Sequence, residues 1–576
     1  MSLVVAVAAR ELGARGSRTD LSAASGTAHL PAEAGLVLAA VPAWWRARAG
    51  AAGLSGRWLD VEHALDTAMP ALPLPTSSPA VAIDATAEQL GMAYTAALSP
   101  AVRARHGRHY TPTLLAERLW EMTRAALGHT ATPRRLAGLV RDPACGAGAL
   151  LLPALAEHLD ASRRTDPQLL LAGLPHLMEG VDADPAAVWL ANVVLAAQAL
   201  PVLAAVPAAR RRPLPALAHV GDGLAPAATP ARAVVMNPPY GRVKLDEDER
   251  RRFAHVLYGH ANLYGLFLAA GLESLDSQGV LSALVPTSFT AGRYFSALRQ
   301  EMASTAPLRE ATFVVERDGV FAGVLQETCL ATFTRTKARR TSVSSINGHL
   351  TSVATVKSPR GAGPWLLPRR PDDAHVAAAA AAMPLTLAAA GWRVSTGPLV
   401  WNRRRGDLHA APGRTRAAVV WAADIDGGTF HRDPARNQLR YLHLTSARDR
   451  ATMVLDTPAV LVQRTTAPEQ TRRIVAVEMT ADDLAAWGGQ VVVENHVNVI
   501  RPDVAAPLLS RACLARVLAT STMDRLVRCL SGSVALSAYE LASLPLPDAQ
   551  TLAGWENLVG DELDKAIAAA YRPGTA

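Results

Sequence analysis

Cysteine and lysine are both scarce in this chain of 576 residues. The four cysteines, Cys145, Cys329, Cys513 and Cys529, are widely scattered. That spacing excludes a disulfide-stapled scaffold and a cysteine-based zinc module. Only four of the 58 basic residues are lysine (Lys244, Lys337, Lys357 and Lys565). The rest are arginine and alanine is abundant, a bias that points to a GC-rich bacterial coding sequence. Aromatic residues make up 5%, so each well-placed ring carries information. Charged residues are 19% and hydrophobic ones 50%, which excludes global disorder and supplies large cores. The length predicts three or four units of roughly 100–200 residues.

The net charge of +8 suggests a polyanionic partner, nucleic acid first. No basic stretch precedes the apolar residues 1–9, so no export signal is predicted. Residues 186–209 carry no charge and are long enough to cross a bilayer. Asn192, Gln198, Pro201, Pro207 and the high alanine content predict a buried helix and a loop instead. A cytoplasmic protein with no membrane partner is expected.

Residues 1–84 form an N-terminal extension of unreadable role. It contains a helix around 43–51 and ends in a Pro- and Ser-rich loop, 72–80. A helix over 85–98 leads into a region where helices (113–127, 149–159, 185–199, 263–275) alternate with apolar strands (139–140, 178–181, 233–236, 280–285, 312–315, 330–333). Such alternation predicts a doubly wound, Rossmann-like parallel α/β sheet over 85–340, with ligands beyond the carboxyl ends of its strands. Residues 341–390 read as a connector with polar loops at 341–348 and 358–364. Residues 391–548 read as a second, mixed α+β domain, with strands at 417–421, 459–462 and 474–477 and helices at 503–519 and 521–529. Residues 549–576 read as a tail. No internal repeat is visible.

Four clusters fall at predicted strand ends. Asp142-Pro143-Ala144-Cys145-Gly146-Ala147-Gly148 is a strand, a glycine turn and a helix start. Its glycines allow close backbone approach to a ligand. It lacks GxGxxG and GKS/T, so neither a dinucleotide nor ATP is favoured. Asp142 suits a ligand ammonium rather than a phosphate. In Gly180-Val181-Asp182-Ala183-Asp184-Pro185, Asp182 is placed to accept from ribose hydroxyls, and Asp184 is placed to cap the following helix. Val220-Gly221-Asp222-Gly223 puts a third acid after a short strand. Asn237-Pro238-Pro239-Tyr240-Gly241 ends an apolar strand with an amide, two backbone-fixing prolines and a ring. This slot fits a planar amine laid against Tyr240.

In this order the clusters resemble S-adenosylmethionine (SAM)-dependent DNA adenine-N6 methyltransferases of the gamma class, the TaqI, PstI and SalI type of modification methylase. Further similar segments are Gly107-Arg108-His109-Tyr110-Thr111-Pro112, Asn262-Leu263-Tyr264-Gly265, Val285-Pro286-Thr287-Ser288-Phe289 and the stretch from Arg317 through Phe321 to Thr334. The segments 395–403, 463–466, 494–498 and 531–535 resemble parts of the larger members. The resemblance covers roughly residues 85–547.

It implies a class I SAM-methyltransferase domain followed by a DNA target-recognition domain. It also implies SAM as cofactor and no metal. Thr111 would hold the methionine part of SAM and Asp142 its ammonium, with Ala144, Gly146 and Gly148 in the turn beneath. Asp182 and Ala183 would sit at the ribose, and Asp222 at the adenine amine. Asn237 and Pro238 would accept from the target N6, Tyr240 would stack on the base and Phe321 would close its other face. Ala147 stands where a serine is usual. Because the ring is what stacks, Tyr240→Phe is expected to keep most activity. Double-stranded DNA is the implied partner, and a cognate restriction endonuclease would act separately on the same site. Arg403, Arg404, Arg405, Arg464, Arg472 and Arg473 are the expected DNA contacts.

Other readings share the slot. Methyltransferases of RNA or of protein glutamine also present an amide to a planar nitrogen, and a modification subunit would borrow recognition from a partner. Metal ligation by His106 and His109 lacks partners at suitable spacing. Cys145 reads as a small packed residue rather than a nucleophile.

Overall fold

The computed structural model describes residues 31–70, 81–99, 103, 109–129, 133–315, 327–432, 438–466, 470–530, 532 and 535–572. Its centre is a nine-stranded sheet. The strands are β1 (Val140–Asp142), β2 (Met178–Asp182), β3 (Ala218–Val220), β4 (Ala231–Met236), β7 (Leu275–Pro286), β8 (Leu308–Val314), β9 (Thr328–Thr334), β10 (Arg340–Asn347) and β11 (His349–Lys357). A two-stranded hairpin, β5 (Arg242–Val243) and β6 (Ala261–Asn262), lies outside it. The order across the sheet is β11-β10-β8-β9-β7-β4-β1-β2-β3. β3, β2, β1, β4 and β7 are parallel neighbours, and β9 runs antiparallel between β7 and β8. The doubly wound architecture read from the alternation is present, with two reversed strands, β9 and the edge strand β11, which runs antiparallel to β10. The chain order turns back at β1, between β2 and β4, which opens a crevice at their carboxyl ends.

The helix Pro185–Ala205 shows why the apolar run at 186–209 stays inside the protein. Asp184 caps it by accepting from the Ala186 N–H at 3.0 Å, and Pro185 sits at its first turn. The helix is apolar nearly all round because helices lie against several of its faces, among them Ala32–Ala51 and Leu152–Ala161.

Three boundaries differ from the sequence reading. The polar stretch 341–348, expected to be a loop, is strand β10, paired in parallel with β8 and joined to β11 by a turn at Gly348. Thr341, Val343 and Ile346 are buried while Arg340, Ser342 and Asn347 are exposed, an alternation made from serine and threonine as much as from apolar residues. The N-terminal extension is part of the same body. Helix Ala32–Ala51 buries Trp44 and Trp45, whose indole N–H groups donate to the carbonyls of Ala85 (2.7 Å) and Trp58 (3.1 Å). The C-terminal tail is core as well: Trp555, Leu563, Ile567 and Tyr571 are buried with the helices Arg511–Leu518 and Ser521–Leu530.

Beyond residue 390 a four-stranded sheet (Trp392–Thr396, Val497–Pro502, Ala459–Gln463, Ala476–Met479) and a five-stranded sheet share the segment 493–499. The segments singled out there knit them together. Asn495 N donates to Leu399 O (2.9 Å) and Arg464 N to His496 O (2.7 Å). Gly397 lies against the Glu494 carbonyl, where a Cβ would stand 2.2 Å from the oxygen.

The nine-stranded sheet and this second unit are joined by polar contacts. Leu367 N and Arg369 Nη1 both donate to Cys529 O at 3.0 Å. Arg369 also pairs with Glu327 (3.2 Å) and lies 4.1 Å from the Phe313 ring centroid. Arg299 is wholly buried and donates to the carbonyls of Phe289, Gly292, Ala362 and Gly363. It ties the segment after β11 to the core. Arg299→Met should leave these acceptors without donors and lower stability by about 3 kcal/mol or more. A fall in the thermal midpoint checks this, with Arg360→Met as an exposed control.

Candidate active site

The carboxyl ends of β1, β2, β3 and β4 open onto a cavity of about 770 Å³. Its walls include Thr111, Asp142, Ala144, Gly146, Asp182, Ala183, Asp222 and Asn237, residues expected to share a site and drawn from segments up to 126 positions apart. Pro239 also lines it, with Pro238 buried behind and Tyr240 partly buried.

Asp142 ends β1 and is 1% exposed. Its Oδ1 accepts from the Ala144 N–H at 3.0 Å. Burial pushes its carboxyl up to about 8; the Ala144 bond pulls the other way and the nearby Asp182 adds to the rise. A buried carboxyl of this kind, at a cavity wall, is matched to a cation. Asp182 ends β2 and accepts from Gly146 N (Oδ2) and Asp184 N (Oδ1), both at 2.9 Å. It therefore pins the glycine turn to the second strand. Asp184 caps its helix as expected, and it also accepts from the buried Tyr94 hydroxyl at 2.7 Å. Asp222 Oδ1 accepts from Leu224 N at 2.9 Å, and its side chain is exposed at the cavity edge.

The two glycines of the first turn differ. Gly146 has φ 49° and open space where a Cβ would be, a bare ledge facing the cavity. Gly148 has φ 83° and faces away, where a Cβ would stand 3.3 Å from that of Ala191. Gly148 lets the turn settle on helix Pro185–Ala205 and does not line the cavity. Cys145 is buried against Gly180 and its thiol is pushed well above the ordinary range by burial, so it is a packing residue.

Asn237 follows β4 directly, and its amide is held from both ends. Its Nδ2 donates to Thr111 Oγ1 at 3.0 Å, and its Oδ1 accepts from the Tyr240 hydroxyl at 3.0 Å. That hydroxyl also lies 3.1 Å from Leu284 O. Burial holds the phenol far above its ordinary titration range, so it remains a donor. The Tyr240 hydroxyl, given no role by the sequence reading, thus orients the amide. The Tyr240 ring meets Tyr264 edge-on at 6.0 Å.

The remaining expected residues divide. Phe321 lies outside the described residues, as does His106. Arg473 is 0% exposed, and its Nη1 donates to Thr466 Oγ1 while its backbone N–H donates to Asp524; it is a core residue and not a surface contact. Arg404 is occupied by Asp407 and Asp449, whose hydrogen bonds hold the guanidinium firmly charged. Arg464 is partly buried and donates to Asn495 O. Arg403, Arg405 and Arg472 are exposed. Clustering in sequence did not distinguish the arginines that build the second unit from those that face solvent.

Residues not assigned from the sequence also shape the cavity: Tyr94, Tyr110, Lys244, Glu249 and Phe267 line it. Gly223 is the most constrained, since a Cβ there would lie 1.7 Å from Pro143 O and 2.9 Å from the Phe267 ring. The signal in the sequence was the glycine immediately after Asp222.

The family model for the Eco57I restriction-modification methylase matches residues 232–321, from β4 through the amide slot. The type II methyltransferase M.PstI of Providencia stuartii is 25% identical over 339 residues, 56% of this chain and 66% of that protein. M.BsuBI of Bacillus subtilis is 21% identical over 330 residues, 55% of this chain and 65% of that protein. The chain thus matches just under two thirds of the length of these relatives. Among solved structures, the type IIL restriction-modification enzyme MmeI in complex with DNA superposes with a TM-score of 0.51 at 14% identity, over 85% of this chain and 80% of that one. The chain therefore has the fold of a restriction-modification enzyme and resembles the type II modification methyltransferases in sequence.

Gly223→Ala should destabilise the protein strongly, because backbone lies where the methyl group must go. Gly146→Ala meets no atoms and should cost only about 1–2 kcal/mol of left-handed backbone strain. Thermal midpoints of the two variants check the contrast.

Proposed function

We propose that the protein is a site-specific DNA methyltransferase that methylates adenine at N6, with S-adenosylmethionine as cofactor, in a restriction-modification system. The observation that carries this reading is the Asn237 amide, fixed at the end of β4 beside a cavity with a buried carboxylate. The cavity suits the cofactor: among the described residues Asp142 has no cationic partner for its buried carboxyl, and Gly146 leaves a bare ledge. Asp142 would take the ammonium, Asp182 the ribose hydroxyls and Asp222 the adenine amine. When bound, SAM supplies an electrophilic methyl group.

The protein's own task is to prepare the nucleophile. The N6 lone pair of adenine is delocalised into the ring. Asn237 Oδ1 and the Pro238 carbonyl accept the two N6 hydrogens, which favours a tetrahedral nitrogen with its lone pair free. The Tyr240 hydroxyl has one hydrogen and two acceptors within reach. Turning toward Leu284 O, it releases Asn237 Oδ1 to the incoming amine, while the Thr111 bond keeps the amide from rotating. Within duplex DNA the base must leave the stack to reach this slot, at a cost of a few kcal/mol. Holding the reacting groups in line then supplies much of the rate. Exposed Arg403, Arg405 and Arg472 are the remaining arginine candidates for phosphate contacts from the second unit. Site-specific modification of host DNA places the activity in the cytoplasm.

Asn237→Ala should lower methylation of DNA by about 10²-fold or more, with SAM affinity nearly intact. Tyr240→Phe, expected from the ring alone to keep most activity, should instead lose about fivefold in kcat, because the hydroxyl's hydrogen bond to the amide is gone while the ring still stacks. Sequencing that detects N6-methyladenine, applied to DNA treated with the purified protein, tests the reading as a whole. Methyl groups found on RNA or protein glutamine and absent from DNA would overturn it.

Asp142 gives a pH signature. Its folded pKa is raised, so its own contribution to the stability of the ligand-free protein is fully present below the ordinary carboxylate range and is lost as pH climbs toward about 8. An ammonium needs the ionised form. SAM affinity should therefore rise about tenfold per pH unit from pH 6 toward pH 8 and level off above it. Calorimetry on wild type and Asp142→Asn checks this, because the variant should bind weakly with no such slope.

A further inference from the structure

The described aromatic side chains are buried or partly buried, with one local exception. Among the described residues only two are exposed, Tyr258 (42%) and Tyr294 (43%), and they lie together. Gly259 joins them: it has φ 73°, and a Cβ there would stand 3.0 Å from the Tyr294 ring. The Arg293 guanidinium lies 5.1 Å from the Tyr258 ring centroid and donates to its hydroxyl at 2.6 Å. Arg242 lies 5.8 Å from the Tyr294 ring centroid, and His260 lies 5.7 Å from it on a tilted plane. Arg242, His260 and Arg293 are all exposed. Among the described residues no carboxylate pairs with either arginine.

The patch is built from the three segments that also frame the amide slot. Arg242 is two residues beyond Tyr240 and pairs with Asn262 across the β5–β6 hairpin. Tyr258 and His260 immediately precede that hairpin's second strand. Tyr294 precedes Phe295, which stacks on Tyr264 at 4.9 Å, and Tyr264 meets Tyr240. The exposed rings are therefore the outer end of an aromatic series whose inner end is the ring of the slot.

We infer that Arg242, Tyr258, His260, Arg293 and Tyr294 form a docking face for a nucleic-acid strand, which they grip where it passes the mouth of the site. Two exposed ring faces accept bases or sugars, and base–aromatic stacking is tolerant of sequence. The guanidinium groups, steadied over the rings, keep N–H donors free for phosphates. A protein partner would bury apolar area in a wider surface. This face instead offers isolated rings between cations, the pattern of a strand-binding groove. The inference rests on the proposed action on DNA and adds the surface that holds the strand carrying the extruded base.

The test is the full-length double variant Tyr258→Ala/Tyr294→Ala, with Tyr258→Phe/Tyr294→Phe as the ring-retaining control. Binding of fluorescently labelled single-stranded and duplex oligonucleotides is read by anisotropy. The alanine pair should weaken single-strand binding by about tenfold or more, with an unchanged thermal midpoint and unchanged SAM affinity, while the phenylalanine pair binds like wild type. Arg242→Gln/Arg293→Gln should flatten the salt dependence of binding. Alanine variants that bind both oligonucleotides as wild type does would overturn the inference. That result is separate from a failure of wild type to methylate plasmid DNA, which would overturn the proposed function and leave the binding measurement standing.

Discussion

The amide of Asn237 is held at both ends: its nitrogen donates to Thr111 and its oxygen accepts from Tyr240. An unrestrained asparagine at a strand end would present oxygen or nitrogen to the cavity with little preference, and a nitrogen there would repel an amine. The orienting residues come from two distant parts of the chain, one before β1 and one just after β4. Thr111 is itself buried, so the restraint exists only once its loop has closed over the sheet. The site is assembled by the tertiary fold, and no single motif contains it.

The rest of the cavity follows from where the parallel strands stop. β1, β2 and β3 each end in or near a carboxylate, and all three accept from loop N–H groups: Asp142 from Ala144, Asp182 from Gly146 and Asp184, and Asp222 from Leu224. Asp142 is the one driven toward its neutral form by burial. The same three acids therefore differ in kind. All three brace loops and face the cavity, and Asp142 alone is also buried enough for its carboxyl to be driven up. Gly223 completes the arrangement by letting the third loop touch the first at Pro143.

Much of this was legible in the residues. Strands ending in Asp142, Asp182 and Asn237 were found from short apolar runs followed by turn residues, and the structure places them within a residue or two. What escaped had weaker or opposite local signals. β10 read as loop because serine and threonine fill half of its positions, and its strand character comes from pairing with β8 and β11. The helix Ala32–Ala51 is alanine-rich and nearly featureless in periodicity, and its place is decided by two tryptophans reaching distant carbonyls. Arg473 looked like a surface cation beside Arg472. Only the fold shows that the chain alternates there, sending one side chain to solvent and the next into the core.

The seam between the two units has its own consequence. Leu367 N and Arg369 both donate to the Cys529 carbonyl, Arg369 also pairs with Glu327 just before β9, and a side chain at Gly532 would run into that same Glu327 carboxylate. A joint of this kind does not behave as a tether. Anyone wishing to graft a different C-terminal unit onto this nine-stranded sheet would have to transplant both halves of the joint together and keep Glu327 as the common socket. A cut at the single crossing point after β11 would leave an arginine and several carbonyls stranded.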